Sequence, residues 1–181
     1  MLAAVATQSA PMPDDRDVLE AVARGDERAF GALIARYQGR FYGVARRMLG
    51  NDADAQDAVQ LALFHVHRKA GSYRSEWSGS TWLYRILTNV CIDLWRKRTR
   101  RAEDPEIPIA VGFAPTGERI DVDRALAKLP TEARAALVLC YVEGLSYSEI
   151  ATVRGVTVNT VKTHLRRAKR LMRKLLSEVE K

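Results

Sequence analysis

Residues 145–168 read LSYSEIATVRGVTVNTVKTHLRRA and hold two helix starts and one sharp stop. Ser146 is placed to cap a first helix, and Glu149 three positions later completes a capping box ahead of Ile150 and Val153. Gly155 stands where the chain must turn, because it takes the positive φ that residues with side chains resist. Thr157 then caps a second helix, on which Val158, Val161, Leu165, Ala168, Met172 and Leu175 recur at three and four. The opposite face carries Asn159, Lys162, Thr163, Arg166, Arg167 and Arg170. A short helix, a glycine turn and a second helix that is apolar beneath and basic above make a helix-turn-helix. The cationic side chains suit phosphates, and the short polar residues of the first turn can approach base edges.

The charge of the whole chain agrees with that assignment. Its 181 residues sum to +7 with a pI of about 9.7, a balance that favours a polyanionic partner. At 47% hydrophobic and 28% charged, the composition is that of a globular protein, enough for one medium domain or two small ones. Cys91 and Cys140 are too few for a disulfide framework and fall in apolar helical patterns, so they read as buried thiols of a reducing cytosol. No run reaches the ~18 apolar residues of a membrane helix, so no direct membrane insertion is expected. The N-terminal MLAAVATQSAPMP lacks the positive start of a signal peptide and is expected to be a disordered tail, residues 1–13, of a cytoplasmic protein. With three histidines, no phosphate-cradling glycine loop, no nucleophile elbow and no metal-ligand cluster, an enzyme is excluded and no cofactor or metal is expected.

Working outward from the helix-turn-helix, Gly144 precedes it, then a helix from Pro130 through Val142, then a short helix ending at Leu129. This second domain is expected to span 121–181. Ahead of it, Pro105, Pro108, Gly112, Pro115 and Gly117 deny a continuous helix, which makes 102–120 a linker. It is acidic at its start, with Glu103, Asp104 and Glu106. Fully extended, its 19 residues span about 60 Å at ~3.3 Å each.

Residues 14–101 form the other lobe. A short acidic helix from Asp14 to Ala23 stops at Gly25-Asp26. A long helix from about Glu27 to Leu49 carries Phe30, Leu33, Ile34, Tyr37, Phe41, Val44, Ala45 and Met48 as its buried stripe, and Gly50 ends it. Asn51 or Asp52 caps a third helix through about Lys69, with Ala55, Val59, Ala62, Leu63 and Val66 inward. After the loop Gly71–Gly79, a fourth helix runs from near Ser80 to Arg101, burying Leu83, Ile86, Leu87, Val90, Cys91 and Leu94. No strand pattern emerges. The expected fold is all-α, two helical domains joined by a flexible linker, the C-terminal one carrying the helix-turn-helix.

The fourth helix is a second nucleic-acid candidate. Arg85, Asn89, Asp93, Arg96, Lys97 and Arg100 share the face opposite its core stripe, and residues 95–101 form a dense basic run. Trp77, Trp82 and Tyr84 lie in or beside the preceding loop, with Tyr73 and Arg74. Aromatics among basic residues suit unstacked bases, although Trp82 taken alone reads as core. Two basic lobes on one linker can touch a duplex two turns apart, about 70 Å at ~34 Å per turn.

Three segments, residues 26–70, 79–101 and 125–169, carry a resemblance across nearly the whole chain: DERAFGALIARYQGRFYGVARRMLGNDADAQDAVQLALFHVHRKA, GSTWLYRILTNVCIDLWRKRTRR and ALAKLPTEARAALVLCYVEGLSYSEIATVRGVTVNTVKTHLRRAK. In order and spacing the chain resembles a sigma-70 family RNA polymerase sigma factor of the extracytoplasmic-function (group IV) subfamily. The resemblance implies that Asp57, Val59, Gln60, Phe64 and Arg68 dock on the β′ clamp helices of core polymerase. It implies that Tyr73, Arg74, Trp77, Arg85, Asn89, Asp93, Arg96 and Lys97 recognise and open the minus-ten element, with Asn89 contacting an extruded base and Arg85, Arg96 and Lys97 holding phosphates. It implies that Thr157, Asn159, Thr160, Lys162, Thr163, His164, Arg166, Arg167 and Arg170 read the minus-thirty-five element. The β flap and an anti-sigma factor are further implied partners, and the linker is implied to thread toward the RNA exit path.

His65 and His67 stand where the family usually has an aromatic or arginine, and His164 where it more often has arginine. Residues two apart on a helix point about 200° apart, so His65 and His67 cannot share one ion. The competing reading is a dimeric helix-turn-helix regulator that needs no polymerase. It leaves the N-terminal lobe without a role, and DNA binding without polymerase separates the two.

Overall fold

A computed structural model of the chain describes residues 14–74, 76–102 and 119–177. The expected tail (1–13) and most of the expected linker (103–118) lie outside the described residues. The first lobe consists of α1 (Asp15–Ala23), α2 (Glu27–Leu49), α3 (Asp52–Lys69), a 3₁₀ turn (Ala70–Ser72) and α4 (Gly79–Ala102). The second holds α5 (Arg119–Ala127), α6 (Thr131–Tyr141), α7 (Tyr147–Arg154) and α8 (Val158–Ser177).

Local chemistry sets the helix ends. Asp26 caps α2 by accepting from the amides of Arg28 (2.9 Å) and Ala29 (3.1 Å). Asn51 caps α3 through the amide of Asp54 at 2.8 Å, which leaves Asp52 free to take Tyr42 (2.7 Å) and Arg46 (2.6 Å). Ser146 and Glu149 form the full capping box on α7, and Gly155 ends that helix at φ +65°. Thr157 accepts from the amide of Thr160 at 3.2 Å and so starts α8.

Several boundaries move from their expected places. Pro130 occupies the cap position of α6 rather than its first turn, because its carbonyl already accepts from the Arg134 amide at 2.9 Å. Beyond Ala127 the chain closes with tight turns at Lys128 and Leu129. α4 begins one residue before Ser80, at a glycine with a packing reason. A Cβ on Gly79 meets the Cβ of Asp15 at 2.6 Å, so α1 crosses α4 at a distance that only hydrogen permits.

The core of the first lobe is the inward stripe of α2, with Leu33, Tyr37, Phe41, Val44, Ala45, Met48 and Leu49 buried, while Phe30 and Ile34 are half-buried. Small residues of α3 (Ala55, Ala58, Ala62) let it lie close against this stripe. Each fully buried Leu or Phe contributes about 1.5–3 kcal/mol of burial free energy. Trp82 is core, as its position on α4 predicts. Tyr84 is also fully buried, which corrects its expected place among base-stacking aromatics. It falls on the α4 stripe with Leu87 and Cys91, against Tyr37 and Phe41.

The two lobes pack together. α7 lies on α4, and α5 and α6 lie on α2. Leu87, Cys91, Leu139 and Ile150 belong to one continuous buried cluster. Among the described residues, no helix is long and apolar enough to cross a membrane.

Candidate nucleic-acid interface

The loop ahead of α4 is tied down by its own side chains. The Tyr73 hydroxyl donates to the Trp77 carbonyl at 2.8 Å, and its ring meets Trp82 edge-on at 5.6 Å. Burial raises the Tyr73 phenol above its usual range, so it stays a neutral donor. Ser78 accepts from the Thr81 amide at 3.2 Å, capping α4. The Arg85 guanidinium lies 4.7 Å from the Trp77 ring centre, which stacks loop on helix. Arg85 is therefore a half-buried strut as well as a cation. Arg74 is exposed at the loop.

Along α4, Asn89, Asp93, Arg96 and Lys97 are exposed on the face that continues from Arg85. Asp93 and Arg96 pair loosely at 3.9 Å, both well solvated. Of the basic run, Arg98 turns inward. It donates to Asp54 at 2.7 Å and to the Leu49 carbonyl at 2.9 Å, and its guanidinium covers the Trp95 ring. Its place three and four positions after Trp95 and Leu94 is the signal that removes it from the solvent face.

On α8, Val161, Leu165 and Ala168 are buried. Thr157, Asn159, Lys162, Thr163, Arg166, Arg167 and Arg170 are exposed, and Thr160 and His164 are half-buried. Thr163, Arg166, Arg167, Lys169, Arg170 and Arg173 line one open groove. Among the described residues, Arg166, Arg167 and Arg170 have no carboxylate at ion-pair distance, so the positive field points outward.

A third exposed face lies on α3. Asp57, Gln60, Phe64 and Arg68 are exposed and Val59 is half-buried. Phe64 is 54% exposed and Leu61 41%, with the Arg68 guanidinium 5.5 Å from the Phe64 ring centre. His65 and His67 take different neighbours, Phe64 for the first, Phe30 and Glu27 for the second. Among the described residues no group of three metal-ligating side chains converges. Cys91 is buried with its thiol pushed up to about 12 by burial, and half-buried Cys140 is raised by the same cause.

Two residues that bear on these faces escaped the sequence reading. Arg154 ends α7 and donates to the Asn89 carbonyl oxygen at 3.1 Å. Arg134 is fully buried between the lobes. A lone charge inside the apolar run 133–139 was the available sign for Arg134. Arg154 offered none, since a charged helix end ordinarily faces water.

The comparisons cover both lobes. The family described as Sigma-70 region 2 matches residues 33–101, and Sigma-70, region 4 matches residues 119–172. The chain is 36% identical over 165 residues to the ECF RNA polymerase sigma factor SigM of Mycobacterium tuberculosis, covering 90% of this chain and 84% of that one. It is 31% identical to the ECF RNA polymerase sigma factor SigW of Bacillus subtilis, covering 89% and 96%. Its fold resembles CnrH, solved in complex with the cytosolic domain of CnrY, with a TM-score of 0.72 and 29% identity over 91% of this chain and 97% of that one. It also resembles the sigma factor RpoE, solved with the anti-sigma factor NepR from Bartonella quintana, with a TM-score of 0.69 and 25% identity over 82% and 96%. With both sigma-70 regions present in order and relatives aligned over most of their length, the chain belongs to the extracytoplasmic-function sigma factors of the sigma-70 family.

Proposed function

We propose that the chain binds bacterial RNA polymerase core in the cytoplasm and directs it to promoters, where it opens the DNA and starts transcription of a stress- or signal-responsive set of genes. The observation that carries this reading is the pairing, on one chain, of an outward basic α8 with an α4 ridge set behind an aromatic loop. A simple DNA-binding regulator needs only the first.

In this reading Phe64, with Asp57, Val59, Gln60 and Arg68, docks on the β′ clamp helices, since an exposed aromatic beside polar residues suits helix-on-helix contact. Asn89 and Asp93 face an extruded base of the minus-ten strand, Arg96 and Lys97 hold its phosphates, and Tyr73, Arg74, Trp77 and Arg85 shape the loop that receives it. Extrusion costs a few kcal/mol of stacking, which contacts at this pocket must offset. The first turn of α8 reads the minus-thirty-five element while Arg166, Arg167 and Arg170 grip phosphates.

The polymerase forms the phosphodiester bonds, and this chain contributes binding and strand separation. RpoE was solved with the anti-sigma factor NepR, which supports an anti-sigma factor as the restraint on this chain too. Transcription reconstituted from core polymerase, the chain and promoter DNA tests the reading.

A further inference from the structure

Beyond their shared apolar cluster and the buried Arg134, the lobes are joined by polar contacts at two places, one on the core side of α4 and one at Asn89, on the face the DNA would need. Glu143, in the turn between α6 and α7, has a side chain only 5% exposed. Its carboxylate accepts from the Tyr84 hydroxyl of α4 and pairs with Arg40 of α2 at 3.0 Å. At the end of α7, Arg154 donates to Asn89 Oδ1 at 3.1 Å and to Thr88 Oγ1 at 3.4 Å. Glu132 of α6 fixes that guanidinium with contacts of 3.0 and 3.1 Å.

Glu143 has these partners only while the lobes touch, and so do Thr88 and Asn89, whereas Arg154 keeps Glu132 of its own lobe in either state. A carboxylate seated under a tyrosine of the other lobe loses its water, and it is stable there only because both partners are in place. Once the lobes part, Glu143, Arg40 and Arg154 are simply rehydrated, so the joint can open without leaving buried charges behind. The apolar cluster and Arg134 also hold the lobes together, so these contacts bias the closed state and do not make up its whole stability.

The joint also occupies the reader. The Asn89 side-chain oxygen has two lone pairs, and Arg154 occupies one of them at 3.1 Å. A base that reads this oxygen must share it with an internal guanidinium or displace it. We propose that Glu143 and Arg154 form a self-closing latch, which holds the free chain in a resting state and must open before α4 engages an unpaired base. The second half of this proposal rests on the reading of Asn89 given above.

Small-angle scattering on the full chain, together with binding to fluorescein-labelled single-stranded DNA of random sequence, tests it. The wild-type chain scatters as a compact particle. Glu143→Lys removes the bonds from Tyr84 and Arg40 and sets a cation against Arg40, so it expands the particle and raises DNA affinity on the order of tenfold or more. The charge-swapped pair Arg40→Glu with Glu143→Lys closes it again. If Glu143→Lys loses helical circular dichroism, Glu143→Gln decides by the same two readouts. An extended wild-type chain, or a folded variant with the wild-type scattering profile, overturns the latch. Expansion with unchanged DNA affinity supports the latch and overturns the role of Asn89.

Discussion

Arg134 holds its guanidinium carbon 4.4 Å from the centre of the Trp95 ring, so a cation of the second lobe is stacked on an aromatic of the first. The same group donates to the carbonyls of Met48 (2.6 Å), Ala127 (2.5 Å) and Leu129 (3.0 Å), at the ends of α2 and α5. Helix C-termini carry partial negative charge, which is how a guanidinium is held here by carbonyls. Burial still pushes it down to about 10, with Arg98 nearby adding to the shift.

Arg134→Ala is therefore expected to lower stability by about 3 kcal/mol, because it opens a cavity and takes the donor from two buried carbonyls and one part-buried one. Arg134→Lys should recover only part, since a point charge cannot reach all three. Urea unfolding of both variants checks this. Wild-type midpoints in both would show that the buried fork contributes nothing.

Alkaline pH should weaken the fold through its buried tyrosines. Tyr84 and Tyr37 are raised above the ordinary phenol value, first by burial and then by the carboxylates of Glu143 and Asp15 that accept their hydrogen bonds. Above pH 10 the unfolded chain releases these protons while the fold retains them, so stability falls as pH rises. Each tyrosine contributes a loss of up to about 1.4 kcal/mol per pH unit there. The Arg134 burial penalty has the opposite sign, fully present below about 10 and relieved above it. Tyr84→Phe should flatten the alkaline decline, measured as urea midpoints at about pH 8 and about pH 11. A decline as steep as the wild type would discount Tyr84.

The two DNA faces should fail differently. Arg166→Ala or Arg167→Ala should weaken binding to the upstream element and reduce the slope of log K against log salt by about one unit per contact. Asn89→Ala should leave binding of polymerase intact and reduce strand opening, read by permanganate reactivity of unpaired thymines. Normal opening by Asn89→Ala would remove it from the site.

Phe64→Ala should separate docking from folding. The side chain is 54% exposed, so its loss costs the fold little, within about 0.5 kcal/mol. A central aromatic anchor lost from an interface costs about 2 kcal/mol or more of binding. Titration of labelled core polymerase checks the pair of outcomes. Unchanged affinity would move the dock off α3.

What was legible in the sequence was local. The Ser146–Glu149 box, the Asn51 cap, the Gly155 turn and the apolar periods of α2 and α8 are each written within a few neighbouring positions, and each stands in the structure except that Val158, at the start of α8, is exposed. The exposed ridges of α4 and α8 followed from the same periods, whereas that of α3 was drawn from the family resemblance. The joint between the lobes was not legible, because its partners are distant. Tyr84 and Glu143 lie 59 positions apart, and Arg134 and Met48 lie 86 apart. A charged residue in a sequence reads as solvated surface, and nothing beside Glu143 or Arg154 says otherwise. Tyr84 misled for a related reason, since an aromatic next to a basic loop resembles a stacking platform until its register with Leu87 and Cys91 is counted.

Run-off transcription is the most direct measurement, with purified bacterial core polymerase and DNA from upstream of the chain's own gene, in the presence and absence of the chain. Discrete transcripts that require both proteins, and that disappear with Phe64→Ala or Asn89→Ala, are the predicted result. A gel shift by the chain alone on the same DNA, with no transcript from the mixture, would contradict the initiation role and favour an autonomous regulator.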